Sequence, residues 1–538
     1  MKDGCSPQGQ CGCCTVWVDG APRVSCVTPV RRLDGRDVTT LDGLSEPERA
    51  EWAEALVATG GSQCGFCTPG IVMRLAALAP DRATRVASGP GPAVSADKID
   101  LALVAHLCRC TGWQSIEEAA LRVFDPMGQA TAGGPDLPGP ADRDLGAASV
   151  RARVEGGVPQ QVGPATALGQ AGFADDTCPP DALVAVPDGT GGYAVADSLG
   201  AARALAGKVQ GRSTSLALGH PVAVPPGDWA LSLRSTWVEP AYVEPDASWC
   251  VPGGPAASPY GNGGAFGGKL HSPVAADARR LADLHQRPVR VLWSREDVVR
   301  YGAKRPPVAG GIDAHGSGVL RVGVSPGLGA SAGTDSAGTD SAGSDERWAA
   351  VTAMVAAVAP GVALEQVPLA GPPTSFDLRA AVWAEASVLA ACARALAEHG
   401  SDARYDVAVE VTAPSGGRAE ARCRPDDSIE VTVDAGAVLD EVVLRSYCIG
   451  ATHQALGWVR SEGIAVDDQG EVRDLTVRSF GILQARAMPR VTVTIVPASD
   501  RPPVNGSDAV FAAVAAARWL ADGLPSELPT DRGGAGRR

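Results

Sequence analysis

Positive charge is scarce in this chain of 538 residues: 47 Lys and Arg stand against 61 Asp and Glu, a formal net charge of −14. Nucleic acid and anionic membrane both require a basic footprint, so neither is expected as a generic partner, and a small molecule or a protein is. Lysine is rarest of all, with five residues against 42 arginines. No stretch of 18 apolar residues occurs, and Met1-Lys2-Asp3-Gly4 is not followed by an apolar segment, so neither a membrane span nor a secretion signal is predicted. A reducing cytoplasm is the expected setting, where clustered cysteines read as metal or redox sites.

Glycine and proline are plentiful, 65 and 42 residues, so much of the chain is loop and turn. Its length suits three or four domains. Nine of the 14 cysteines fall before residue 111. Residues 1–45 carry short β-like runs such as Thr15-Val16-Trp17-Val18 before the turn signal Asp19-Gly20. Helical periodicity then predicts helices at 51–58, 71–78, 97–107 and 116–123. Residues 126–165, rich in Gly, Pro, Ala and Asp, read as a linker. Beyond lies a mixed α/β region, with helices predicted at 275–285, 378–399, 451–459 and 508–522. Strands are predicted at 287–293, 406–411, 429–433, 475–480 and 491–496. It is interrupted at 328–346 by a low-complexity linker, whose tract 332–345 repeats a five-residue unit and contains no large apolar side chain. Residues 526–538 read as a disordered tail.

The cysteines form two groups of four. Cys5, Cys11 and Cys14 share one loop, with Cys26 beyond a strand and a turn. Cys64-Gly-Phe-Cys67 stands at a helix start and Cys108-Arg-Cys110 just after a helix. On spacing alone, tetrathiolate zinc and an iron–sulfur cluster are equally compatible with each group. Cys13 interleaves the first group as a bystander.

The runs Gly4-Cys5-Ser6-Pro7-Gln8-Gly9-Gln10-Cys11-Gly12-Cys13-Cys14, Gln63-Cys64-Gly65-Phe66-Cys67-Thr68-Pro69-Gly70 and Cys108-Arg109-Cys110-Thr111-Gly112 resemble the two [2Fe-2S] domains of the xanthine dehydrogenase and aldehyde oxidase family of molybdenum hydroxylases. The resemblance moves iron–sulfur ahead of zinc. It implies that Cys5, Cys11, Cys14 and Cys26 ligate one cluster in a ferredoxin-like module at 1–45. Cys64, Cys67, Cys108 and Cys110 would ligate another in a four-helix module at 46–125. It implies further that Gln63 and Cys110 touch the pyranopterin of a molybdenum cofactor.

Downstream, Gly263-Gly264-Ala265-Phe266-Gly267-Gly268-Lys269 is similar to the family's glycine loop beside the molybdenum. Such a loop lets backbone N–H groups approach an oxyanion. The same residues match a phosphate-binding loop up to Leu270, which replaces the Ser or Thr that Mg²⁺ needs. A plain turn is the remaining reading of the loop by itself. The segment Gly450-Ala451-Thr452-His453-Gln454-Ala455-Leu456-Gly457-Trp458 resembles the family's cofactor helix. Gln454 is its candidate cofactor contact, while His453 reads as a surface or core residue.

The resemblance implies a multidomain α+β protein with two [2Fe-2S] modules and a contracted mixed α/β molybdopterin-binding region at 166–327 and 347–525. It would hydroxylate an aldehyde or N-heterocycle with water and pass electrons to an external acceptor or FAD-bearing subunit, as a homodimer or hetero-oligomer. Three departures stand out. The family's hairpin and helix before the first cysteine are expected further upstream or are missing. FAD-domain motifs are absent. The family's catalytic Gly-Glu pair has only Ser507-Asp508 as a counterpart, so Asp508 is the candidate general base, with a helix N-cap as its other reading. A non-catalytic iron–sulfur subunit with a degenerate molybdenum domain is the alternative.

Overall fold

The computed structural model describes residues 1–79, 94–125, 143–207, 211–326, 341–400, 404–497 and 500–531. At the N-terminus, β-branched Thr15–Val18 (β1) turns through Asp19 and Gly20, both at positive φ, into Ala21–Val24 (β2). This is a two-residue hairpin whose turn matches strand twist. Val38–Thr39 (β3) closes a three-stranded sheet of order β2-β1-β3. Four helices follow: Glu46–Thr59 (α1), Thr68–Ala76 (α2), Ala96–Leu103 (α3) and Gln114–Phe124 (α4). A capping box between Ser45 and Glu48 starts α1, and left-handed Gly60 ends it. Their apolar faces, with Trp52, Leu56, Ile71, Ile99 and Ile116, share one core with Cys5, Cys11, Cys64, Cys67, Cys108 and Cys110.

The stretch expected to be a linker at 126–165 is ordered over its described part. Leu145–Gly156 (α5), capped by the Asp144 carboxylate, lies within it, and Pro164–Ala167 (α6) begins at its end. Its composition conceals the helix because the buried face of α5 is formed by small and charged residues: Ala148, Arg151, Ala152 and Glu155. Residues 126–142 lie outside the described residues.

Ala174–Thr177 (α7) leads into Leu183–Pro187 (β4), Tyr193–Ala196 (β5), Leu199–Ala206 (α8), Leu231–Arg234 (β6), Ala247–Cys250 (β7), Val274–His285 (α9), Val289–Leu292 (β8) and Arg295–Tyr301 (α10). Then come Val308–Ile312 (β9), Gly318–Val324 (β10), Ser341–Val358 (α11), Val362–Pro368 (β11) and Trp383–His399 (α12). The last part holds Val409–Thr412 (β12), Arg418–Cys423 (β13), Ile429–Asp434 (β14), Glu441–Arg460 (α13), Val491–Ile495 (β15) and Ser507–Ala521 (α14). They build three four-stranded sheets, β5-β4-β8-β7, β11-β10-β9-β6 and β12-β13-β14-β15. The second joins residues on both sides of the expected division at 328–346, because β11 pairs in parallel with β10. The expected linker ends early, at the start of α11, and the rest of it lies outside the described residues.

Helix α14 packs on the third sheet and against α13 and α12. In α13, every residue from Val442 to Val459 is buried, so no polar face exists to set a simple amphipathic period. Two further expectations change. Residues 475–480 form no strand; Val477–Phe480 is a short 3₁₀ helix. At the expected tail, Leu528 is buried and Thr530 and Asp531 donate backbone hydrogen bonds to Val459 and Arg460, so the chain to 531 is packed, with 532–538 outside the described residues.

Candidate metal and cofactor centre

The loop before β1 carries Cys5, Cys11 and Cys14, and the turn after β2 returns Cys26 beside Cys14. The Cys5 thiol interacts with those of Cys11 and Cys26, which hold its pKa below the usual range despite burial. The pKa of Cys14, hydrogen-bonded by Cys26, is lowered to about 6. Cys13 is buried and points its thiol at the Cys11 carbonyl, 3.7 Å away.

The second group meets in pairs. Cys64 and Cys110 bring their sulfurs within 3.6 Å. Cys67 hydrogen-bonds Cys108, whose thiol pKa is lowered to about 6 by that contact against the opposing effect of burial. Helix α2 starts at Cys67 and so fixes one side, while Cys108-Arg109-Cys110 enters from the loop between α3 and α4. Among the described residues, no three or more His, Cys, Asp or Glu side chains close around one point that a single metal ion could fill. Thiols meeting two by two suit a two-iron cluster, each iron taking two thiolates, better than one tetrahedral zinc. The cysteine loops of the two groups are joined directly: the Leu107 N–H donates to the Cys11 carbonyl at 2.9 Å.

The glycine loop seals the second group. Gly264, at φ +81°, has no room for a side chain: a Cβ there would lie 2.8 Å from the Cβ of Cys64 and 3.3 Å from the sulfur of Cys110. From the opposite side α13 presses Gly450 onto Cys110, where a Cβ would stand 1.8 Å from the carbonyl oxygen. Gln63 donates to the Cys110 carbonyl at 3.0 Å and to Ser446 Oγ at 2.9 Å, and its own Oε1 is buried without a partner. Gly263 abuts Gln160, whose Nε2 is also buried and unpartnered. Gly267 lies against the Asp377 carbonyl and Gly268 against the Tyr242 ring.

Phe266 faces Tyr447 edge-on at 6.4 Å, and the Arg379 guanidinium covers its ring at 4.2 Å. A small cavity of about 40 Å³ opens here, lined by Arg109, Phe266, Arg305, Arg379, Gln454 and Trp458 among others. Arg305 and Arg379 line this cavity, and Arg305 Nη2 and Arg379 Nη1 are buried without partners. Unsatisfied buried donors are costly unless a ligand meets them.

Lys269 is not free to face an anion at this loop. Its ammonium is buried and committed to Glu244 at 2.8 Å and to the Pro259 carbonyl at 2.8 Å, so its role here is to hold the loop. Gln454 reaches the cavity, but its Nε2 donates to the Arg109 carbonyl at 3.1 Å. His453 is a core residue, bonded to the Leu483 carbonyl at 2.9 Å.

Asp508 is not the N-cap of α14, a place taken by Gly506. It stands in the first turn, its N–H donating to Asn505 Oδ1 at 2.9 Å and its carboxylate accepting from Arg379 Nε at 3.0 Å. Burial raises its pKa above the usual carboxylate value, and Arg379 opposes that. It does not line the cavity; Arg379 does.

Sequence reasoning does not single out as site residues Arg305, which lies in the family-like stretch Lys304-Arg305-Pro306, Arg379, which carries no motif, or Glu462, which pairs with Arg109 across 353 positions. Arg109 itself is visible, lying between two cysteines.

The donor set fits a molybdenum cofactor in part: unpaired guanidinium groups of Arg305 and Arg379 line the cavity beside Phe266 of the glycine-rich loop, whose Gly264 lies on the thiol pair, while the unpaired amide atoms of Gln63 and Gln160 belong to residues lining a separate cavity. The space of about 40 Å³ is smaller than such a group, so its entry requires Phe266, Arg379 and their neighbours to rearrange.

A [2Fe-2S] binding domain model matches residues 40–121. The nicotine 6-hydroxylase small subunit of Paenarthrobacter nicotinovorans is 38% identical over 129 residues, 24% of this chain and 70% of that protein. The xanthine dehydrogenase iron-sulfur-binding subunit of Escherichia coli O157:H7 is 34% identical over 122 residues, 22% of this chain and 72% of that one. A probable xanthine dehydrogenase subunit of Bacillus subtilis is 36% identical over 115 residues, 21% of this chain, and the chain spans 61% of its length. In fold, an aldehyde oxidoreductase from Desulfovibrio gigas superposes with a TM-score of 0.58 at 15% identity, covering 98% of this chain and 95% of that one.

Proposed function

The chain belongs to the xanthine dehydrogenase and aldehyde oxidase family of molybdenum hydroxylases, and from that premise we propose that it oxidises an aldehyde or an N-heterocycle and passes the electrons through two [2Fe-2S] clusters to an external acceptor. The observation that carries the reading is the direct seating of the glycine loop on the second cysteine group, Gly264 against Cys64 and Cys110. It supports the reading because residues of the glycine loop are in van der Waals contact with two of the cysteines that would hold the second cluster.

In this proposal Cys5, Cys11, Cys14 and Cys26 hold the first cluster, and Cys64, Cys67, Cys108 and Cys110 the second. Gln63, Gly263, Gly264, Phe266, Gly267, Gly268 and Gln454 surround the molybdenum cofactor together with Cys110. Lys269 anchors the loop from behind through Glu244. When bound, the cofactor supplies two-electron oxidation of a carbon centre with water as the oxygen source. The protein's part is to orient and to manage protons. Arg305 and Arg379 offer their free N–H groups to negative charge in the cavity. Asp508 is the proton acceptor, reaching the cavity only if Arg379 swings aside. The acceptor is a soluble one or a flavin-bearing partner subunit, in keeping with relatives that are small subunits.

The test is iron and molybdenum per chain on anaerobically purified protein, with a visible spectrum, then turnover of aldehydes and purine-like heterocycles. About four irons and one molybdenum, with turnover abolished in Asp508→Ala while both metals stay, is the expected result. Four irons without molybdenum would identify an electron-transfer subunit instead, and zinc in place of iron would overturn both.

A further inference from the structure

The Cys108-Arg109-Cys110 tripeptide is gripped from the C-terminal half of the chain. Arg109 Nη1 and Nη2 donate to Glu462 Oε1 and Oε2 at 2.5 and 2.7 Å, a two-point pair with both side chains buried. The same guanidinium donates through Nε to the Pro240 carbonyl at 3.0 Å. Gln454, on α13, donates to the Arg109 carbonyl, and Gln63 to that of Cys110. Glu462 follows α13 by two residues and is wedged against it: a Cβ on Gly457 would lie 2.0 Å from its Oε1.

A buried guanidinium one residue from two thiolate ligands is a fixed positive charge beside whatever those thiolates hold. Iron–sulfur potentials follow local net charge and hydrogen bonding, and burial leaves such charges largely unscreened by salt. The other charges around the cavity are matched in pairs, Lys304 with Glu239, Arg305 with Glu385 and Arg379 with Asp508. Of these pairs, only that of Arg109 and Glu462 is covalently next to cluster ligands.

We propose that Glu462 is a positioning residue for the second cluster: its carboxylate holds the Cys108-Arg109-Cys110 loop from the C-terminal half and cancels a guanidinium charge that would otherwise raise that cluster's reduction potential. The proposal rests on the reading of Cys64, Cys67, Cys108 and Cys110 as [2Fe-2S] ligands and is independent of whether molybdenum is bound.

The experiment is a redox titration of the full-length protein followed by electron paramagnetic resonance, with Cys64→Ser used to assign the second cluster's signal. Parent, Glu462→Gln, Glu462→Asp and the double variant Arg109→Gln/Glu462→Gln are compared. In Glu462→Gln the second cluster's midpoint moves up and the first cluster's stays. Glu462→Asp keeps the charge and stays near the parent. The double variant removes both charges and returns toward the parent midpoint. Loss of the second cluster in Glu462→Gln with retention in Glu462→Asp also supports the assignment. A midpoint that is unmoved or lowered in Glu462→Gln, equal shifts of both clusters, or Glu462→Asp behaving as Glu462→Gln would overturn it. A parent protein without reducible clusters would take down the functional reading and this one together. Two clusters without molybdenum would end the hydroxylase reading and leave this one standing.

Discussion

Cys64 illustrates how much depends on one atom. Its sulfur meets that of Cys110 at 3.6 Å and supports the glycine loop through Gly264. Replacing it with serine removes one thiolate from a set of four, so Cys64→Ser should lose about two of the four irons and one of two spectroscopic signals, the other unchanged. A variant that kept both signals would exclude Cys64 as a ligand. His453 behaves differently because nothing compensates its charge: burial first, and Arg109 nearby second, lower its pKa to about 4 from 6.5. The folded state therefore binds fewer protons than the unfolded one between these values. The stability this neutral histidine secures is complete above pH 6.5 and is lost as pH falls toward 4, at about 1.4 kcal/mol per pH unit. Melting temperatures of His453→Gln against the parent across pH 7.5 to 4 should converge at acid pH. Parallel curves would rule out His453 as a buried neutral base. Residue identity in the cysteine motifs is legible in the sequence because thiolate spacing is local. Fates such as that of Lys269 are not, because its partner Glu244 belongs to a different segment.

Among elements, α5 is the instructive case. Its composition resembles a linker, yet Glu155 accepts the backbone N–H groups of Gly506 and Ser507 at 3.1 and 2.9 Å and so completes the N-terminus of α14 from another segment. Arg151 pairs with the same carboxylate at 2.6 Å, and both side chains are fully buried. Glu155→Gln leaves Arg151 as an unmatched buried charge and weakens the start of α14, the turn that carries Asp508. A loss on the order of 3 kcal/mol in denaturant unfolding is expected, as is typical when one member of a buried pair is removed. A change under about 0.5 kcal/mol, the range of ordinary surface substitutions, would mean that α5 does not brace the helix. Amphipathic or strongly apolar elements such as α4 and α9 are readable within a few residues. For α13 the sequence pattern yields only half the length, because the helix is buried from Val442 to Val459 and shows no polar face from which its start could be read.

At the scale of the molecule, Cys5 and Cys11 of the first cysteine group and all four of the second sit in one core with residues from 464 to 485, so the C-terminal half packs on the N-terminal modules. Among the described residues, no helix is long and apolar enough to cross a membrane. Metal bound by the folded state alone adds its binding energy to stability. Removing iron should therefore lower melting in the N-terminal modules first, with the sheet-and-helix core around α13 and α14 melting later. Calorimetry of iron-loaded and iron-free protein checks this. A single transition at an unchanged temperature would show that the thiol groups carry no structural metal.

What the sequence determined by itself is what depends on neighbours along the chain: thiol spacing, the Asp19-Gly20 hairpin and the glycine loop. Tertiary structure alone decided which charges lie together. Arg109 with Glu462, the Arg151–Glu155 pair with the N-terminus of α14, and Arg379 with Asp508 join segments 129 or more residues apart. The physical reason is that a buried charge is tolerable only beside its partner, and the chain records each charge but not the contact that makes its burial possible.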